Sequence, residues 1–193
     1  MVAEERHLES NLKNIREDHL ARYYKAREIV YGNVLDAACG CGYGTHIIAQ
    51  SDKVDAAIGI DIGLECIDFA NKFWNYQNKT FFLNRDLSKL SDINQEFDWL
   101  VCFETIEHLE NPSLFFEKIN VKNIICSVPN QNVFKYKPER HIFHYRHYTL
   151  DDLIILLEKH KFTVNKHYYQ EHAHSKVFTT KEGRTLIVEA SKN

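Results

Sequence analysis

The chain reads as an α/β protein: a doubly wound sheet of seven strands, mostly parallel, with an antiparallel last strand and helices on both faces. Three observations predict this. Short apolar runs alternate with segments of helical periodicity through most of the 193 residues. Aspartates recur after three successive runs, at Asp36, Asp61 and Asp86. The first run feeds a turn of small residues, Ala37-Ala38-Cys39-Gly40-Cys41-Gly42, that opens a helix.

The bulk properties narrow the class. A hydrophobic content of 44% and a charged content of 26% are ordinary for a globular domain. The expected organisation is a helical lid over residues 1–30 followed by a single domain over 31–193. Net charge is −3, from 24 basic and 27 acidic side chains, which argues against a duplex nucleic acid partner. No apolar run reaches the roughly 20 residues that span a bilayer, so no membrane insertion is expected. The N-terminal MVAEERHLES is too charged for a signal peptide. There are five cysteines and no CxxC pair; Cys39, Cys66, Cys102 and Cys126, in or beside apolar runs, read as small core residues of a reducing compartment, the cytoplasm. Cys39-Gly-Cys41 has the wrong spacing for a zinc knuckle. A homodimer is left open.

Taken in order, residues 4–30 are polar with apolar positions at Leu8, Leu12 and Ile15, then at Leu20, Tyr23, Tyr24 and Ile29, and the steps of three and four among them argue for amphipathic helices. The first strand is expected over 33–38 and a helix over 44–50. The second strand, AAIGID at 56–61, is nearly continuous in apolar character, as for a strand buried on both faces. A helix over 64–74 buries Ile67, Phe69, Ala70 and Phe73. The third strand is 80–83 and the fourth 97–103. The fifth, over 123–128, follows an abbreviated connection, EKINVKN. Residues 131–148 are aromatic and basic with little periodicity, the mark of a functional loop. Thr149, with Asp151 and Asp152 behind it, caps a helix. Strands over 162–168 and 184–190 close the sheet, and the stretch between them reads as an exposed hairpin or loop.

A strand, a glycine turn and a helix N-terminus form a nucleotide-binding design, because glycine lets a ligand approach the main chain. Asp61, 21 residues past Gly40, stands where an acidic side chain would bind a ribose. The run D-x-A-C-G-x-G-Y-G resembles motif I of the class I S-adenosylmethionine-dependent methyltransferases, with Ala38 where the family more often has glycine. The resemblance implies a Rossmann-like fold and S-adenosylmethionine as cofactor. It implies a cofactor site of Asp36, Ala38, Gly40, Gly42, Asp61, Ile62 and Phe103, with Asp86 and the Leu87 amide meeting the adenine. HLARYYKAREIV resembles the entry helix of methyltransferases associated with glycosyltransferases, which implies Arg22 and Tyr23 near the cofactor's methionine end.

Methyl transfer from a sulfonium is an in-line displacement, so no covalent enzyme intermediate is needed. Two segments qualify for the acceptor side. In Glu104-x-x-Glu107-His108 the three side chains would share one face if the segment opens a helix. The segment from Pro138 to Thr149 resembles a P-x-H-x-R-x-(Y/F)-T run of the glycan-associated family, and His144 there could act as a general base on a hydroxyl. The expected catalytic residues are therefore His144, Glu104 and His108. A second reading makes Glu104, Glu107, His108 and His144 ligands of magnesium or manganese. That set resembles the ubiquinone-pathway O-methyltransferases and the small-RNA 3′-terminal ribose 2′-O-methyltransferases. His141, His144 and His147 would line up only on a tight helix, against which Pro138 argues. The leading expectation is O-methylation of a small-molecule or sugar hydroxyl. The alternatives are a metal-dependent RNA 3′-terminal 2′-O-methyltransferase and a non-catalytic cofactor-binding module.

Overall fold

The computed structural model describes residues 8–90, 95–172, 174–176 and 178–192. Positions 4–7 of the expected N-terminal helical segment lie outside them. The strands are β1 (Gly32–Ala37), β2 (Val54–Asp61), β3 (Thr80–Asn84), β4 (Glu96–Phe103), β5 (Asn120–Pro129), β6 (Phe162–Gln170), β7 (Phe178–Thr179) and β8 (Thr185–Lys192). The helices are α1 (Glu17–Ile29), α2 (Tyr43–Ala49), α3 (Leu64–Phe73), α4 (Pro112–Lys118) and α5 (Leu150–Lys159).

The strands form one sheet in the order β3-β2-β1-β4-β5-β8-β6-β7. The first five are mutually parallel. β8 runs antiparallel between β5 and β6. The sheet has eight strands rather than the seven expected: β7 pairs with Tyr169 and Gln170. Two residues are too short to show alternation, so nothing in the sequence distinguished β7 from the surrounding loop.

Neighbouring residues on each central strand serve opposite faces, as the two-residue strand period requires. Leu35, Leu100 and Ile124 pack in the larger core cluster with Phe115 and Phe116 of α4 and Leu153 and Leu157 of α5. Val34, Val101 and Ile125 pack in a second cluster with Ile47 and Ile48 of α2 and Tyr23 and Ala26 of α1. A third cluster sets Ile67 and Ala70 of α3 against Phe82 and Cys39. Both sheet faces are therefore covered, which is why β1, β2, β4 and β5 read as apolar runs.

α4 ends at Lys118 and β5 begins at Asn120, so the abbreviated connection is a direct passage from helix to strand. α5 opens on a capping box: the Thr149 hydroxyl accepts from the Asp152 amide at 3.1 Å and the Asp152 carboxylate from the Thr149 amide at 3.0 Å. Such a cap contributes about 1 kcal/mol. Strand order reverses between β1 and β4, and a crevice at the carboxyl ends of strands flanking such a reversal is where ligands bind in open α/β sheets.

Candidate active site

At the end of β1 the chain turns through Gly40 (φ +55°) and Gly42 (φ +92°) into α2. The two glycines are needed for different reasons. A Cβ on Gly40 would meet no atom within 4 Å, so this backbone faces open space. A Cβ on Gly42 would lie 2.5 Å from Ala70 Cβ and 2.8 Å from the Phe82 ring. Gly40 exposes main chain; Gly42 lets the turn pack on α3 and β3.

Asp61, buried at the end of β2, closes the other side of this turn. Its Oδ2 accepts from the Gly40 amide at 3.0 Å and its Oδ1 from the Gly63 amide at 2.7 Å. Ile62 beside it is 56% exposed, an apolar surface next to the turn. Ala38 is half-buried, and its amide donates to the Thr105 hydroxyl at 3.2 Å, joining the glycine turn to the turn after β4.

Asp36 sits beneath the turn, fully buried, accepting from the Thr45 hydroxyl at 2.6 Å and the Tyr23 hydroxyl at 3.2 Å. Burial raises its pKa to about 7 against those two donors. Tyr23 packs edge-on against Tyr43 and Phe103 and lies over Gly44, where a Cβ would strike its ring. α1 is thereby locked to the turn, and His19 adds a contact to the Tyr43 hydroxyl at 3.1 Å. Arg22 is buried with its Nη1 donating to Gln170 at 2.6 Å and lying 3.6 Å from Asp18. Gln170 in turn donates to the Asp18 and Ser175 carbonyls. After β3, Asp86 accepts from the Ser88 amide at 2.9 Å and the Ser88 hydroxyl at 2.7 Å, a turn-capping arrangement, and Leu87 is buried.

The acceptor side departs from expectation in its backbone. Residues 104–108 do not open an α-helix: Ile106–His108 is a single 3-10 turn, and Glu104 lies outside it in a left-handed conformation (φ +49°). Glu104 therefore does not share a face with Glu107 and His108. Its carboxylate accepts from the Ser127 hydroxyl of β5 at 2.7 Å. One ligand-type atom from each of Glu107, His108 and His144 lies within 4.8 Å of the others. Glu107 is fully buried, and His108 and His144 are partly so. His108 Nδ1 is 3.0 Å from the Phe143 carbonyl and so carries its proton there. Two imidazoles and a carboxylate fit a divalent cation, and Glu104 is not among the converging groups.

The loop over 131–148 delivers His144. It is pinned at its ends by the Asn130–Tyr148 bridge and in its middle by the Tyr145 amide donating to the Glu107 carbonyl at 2.8 Å. The Tyr136 hydroxyl holds the His144 carbonyl at 2.8 Å, and Arg146 donates to the Glu110 carbonyl at 2.7 Å. His141, His144 and His147 do gather, although no helix forms: consecutive turns replace it, with the His144 amide on the His141 carbonyl at 3.0 Å. The rings pack with Phe134 and Tyr136, and the Arg184 guanidinium lies 3.4 Å from the Phe134 ring centroid.

Burial, with the neighbouring His108, His147 and His141 imidazoles, pushes the His144 pKa down to about 3. The imidazole is thereby held neutral around pH 7, with a lone pair to offer. Burial also lowers His147, against its bond to the Phe134 carbonyl.

Sequence reasoning did not single out Thr105, Ser127 or Phe134, and it set His147 aside with the helix that Pro138 argues against. Thr105 and Ser127 occupy carboxyl ends of β4 and β5, a position that could have flagged them. Phe134 and His147 lie in a loop whose turns carry no periodic signal.

Comparisons with known proteins agree with this fold. A family model described as a methyltransferase domain matches residues 31–190. A mitochondrial ubiquinone biosynthesis O-methyltransferase of Saccharomyces cerevisiae is 32% identical over 85 residues, which cover 42% of this chain and 26% of that protein. The matched segment thus spans about a quarter of the length of that curated relative. Among solved structures, a Haloferax volcanii methyltransferase in complex with the Trm112 methyltransferase activator aligns with a TM-score of 0.72. Identity is 18%, over 91% of this chain and 90% of that one. The N-methyltransferase NodS of Bradyrhizobium japonicum, in complex with S-adenosyl-L-homocysteine, aligns with a TM-score of 0.65. Its identity is 13%, over 92% of this chain and 85% of NodS. No helix among the described residues is long and apolar enough to cross a membrane.

Proposed function

Since the chain belongs to the methyltransferase-domain family, and is a class I S-adenosylmethionine-dependent methyltransferase, we propose that it methylates a hydroxyl of a small-molecule or sugar acceptor. The observation that carries this is the convergence of Glu107, His108 and His144 beside a turn tied to the glycine loop through Thr105. In this reading the Gly40 backbone and Asp61 hold the cofactor's sugar, and Ile62 lies against its base. α1 is the lid, supported by the bonds from Tyr23 to Asp36 and from His19 to Tyr43.

The three converging residues would hold a divalent cation. A cation held by these residues would supply Lewis-acid chemistry, lowering the pKa of an acceptor hydroxyl. Two imidazole donors favour manganese over magnesium, which prefers oxygen ligands. Glu107 supplies the negative charge, and the Phe143 carbonyl orients His108. Phe134, Tyr136 and the imidazole rings wall the loop side and keep water from the acceptor. The partial likeness to a ubiquinone biosynthesis O-methyltransferase supports oxygen as the acceptor atom.

An RNA 3′-terminal ribose is the second reading, favoured by exposed Lys135, Lys137 and Arg140 on the acceptor loop. Incubation with methyl-labelled cofactor and fractionated cell extract, with and without chelator, tests both. Label in small polar metabolites, lost on chelation, supports the first; label at RNA 3′ ends supports the second. Label in neither pool overturns the proposal.

A further inference from the structure

We propose that His147 is a positioning residue that holds His144 in the tautomer with its proton on Nδ1, leaving Nε2 as a bare lone pair. The role rests on the reading of His144 as a ligand, but its geometry stands independently. His147 is buried, 6% exposed. Its Nδ1 lies 2.6 Å from the Phe134 carbonyl, an acceptor that can only receive a proton. In the neutral ring Nε2 is then the acceptor, and it lies 2.8 Å from His144 Nδ1. His144 must donate at that contact, so its own Nε2 carries no proton.

The relay is anchored in the sheet. The Phe134 amide donates to the Asn130 carbonyl at 2.7 Å, and the Asn130 side chain donates to the Gly183 carbonyl at 2.8 Å. Phe134 is covered by Arg184 on its ring and stacks on His147 at 5.1 Å with 32° between planes. His141 packs against His147 at 4.6 Å. A ring that served only to fill this space could be any aromatic. A ring that accepts from His144 while donating to a carbonyl must be imidazole, or an amide that reproduces the accepting end.

The test compares full-length wild type with His147→Phe and His147→Gln. Phe keeps the stacking and removes both bonds; Gln returns an acceptor to the position of Nε2. Two readouts apply to the ligand-free chain near neutral pH. Long-range proton–nitrogen NMR reads the tautomer of His144, assigned with His144→Gln. Calorimetric titration with manganese chloride reads cation affinity.

The expected result is a single Nδ1-protonated His144 in wild type and in His147→Gln, and mixed tautomers in His147→Phe. Manganese affinity falls by about 10- to 100-fold in His147→Phe. In His147→Gln it stays within about threefold of wild type, since the accepting end is restored. A wild-type His144 protonated on Nε2 overturns the proposal, as does His147→Phe with an unchanged tautomer and affinity. If wild type binds no manganese, the cation reading fails, and the NMR result alone decides the role of His147. If His147→Phe does not fold, the wild-type tautomer still decides it.

Discussion

Gly40 and Gly42 stand two residues apart in one turn, yet their substitutions are expected to fail in opposite ways. At Gly42, added carbon collides with Ala70 and Phe82 at positive φ, so Gly42→Ala costs roughly 2–5 kcal/mol. Its melting temperature should fall by about 2–4 °C for each kcal/mol. At Gly40 the methyl meets open space, so Gly40→Ala loses only the backbone term of about 1–2 kcal/mol. That methyl intrudes where a ligand approaches the main chain, so cofactor affinity should fall at least about tenfold, the equivalent of 1.4 kcal/mol. Equal melting loss in both variants, with no affinity difference, would contradict this division. Asp36 gives a pH prediction. Its folded pKa, about 7, exceeds the unfolded carboxylate value, so the folded state holds the proton more tightly. Stability contributed by protonated Asp36 is full below about pH 4 and declines as pH rises towards about 7. Asp36→Asn should flatten that decline, on the order of a few kcal/mol in urea titrations across this window. An unchanged slope would show that Asp36 ionises freely in the folded chain.

At the scale of elements, α1 and the loop over 131–148 carry separate duties. α1 is latched through Arg22, Asp18 and Gln170 at the end of β6. Removing one partner of a buried charge pair is costly, so Arg22→Met should destabilise the fold by about 3 kcal/mol. Cofactor affinity should stay within about threefold of wild type, since the guanidinium is engaged elsewhere. A tenfold loss of cofactor affinity with unchanged unfolding would instead give Arg22 the carboxylate-binding role that the family resemblance implies. The loop depends on the Tyr136 hydroxyl gripping the His144 carbonyl. Tyr136→Phe loosens that end alone and should raise the acceptor KM several-fold, with cofactor affinity unchanged; a net hydrogen bond of about 1 kcal/mol sets that scale. Regular elements were legible because their burial writes a period into the sequence: β2 and α3 begin or end within two residues of expectation. The turn at Ile106–His108 was not, since the spacing of Glu104, Glu107 and His108 fits a helix equally well, and only the left-handed Glu104 and its Ser127 bond exclude one. The gathering of His141, His144 and His147 escaped for the converse reason, because successive turns brought together residues that helical reasoning kept apart.

Across the whole molecule, a parallel five-strand unit supplies the crevice, and the antiparallel β8 with β6 and β7 completes the sheet. The reversal between β1 and β4 brings the Gly40 turn, Asp61 and the Thr105 turn to one end of the sheet. Asp61 was legible by its distance from Gly40, and its carboxylate does meet the Gly40 amide. Asp86 shares the same pattern in sequence, and its Oδ1 caps its own turn at Ser88. The acceptor remains a matter of loop chemistry, which no fold-level pattern encodes. In the proposed reading this end of the sheet is a cleft for S-adenosylmethionine, gripped by Asp61. Calorimetric titration of wild type and Asp61→Ala with S-adenosylhomocysteine tests it most directly. One site per chain is expected, with affinity on the order of micromolar in wild type, weakened at least about tenfold in a folded Asp61→Ala. Absence of binding heat in wild type, or equal affinity in the two, would contradict it.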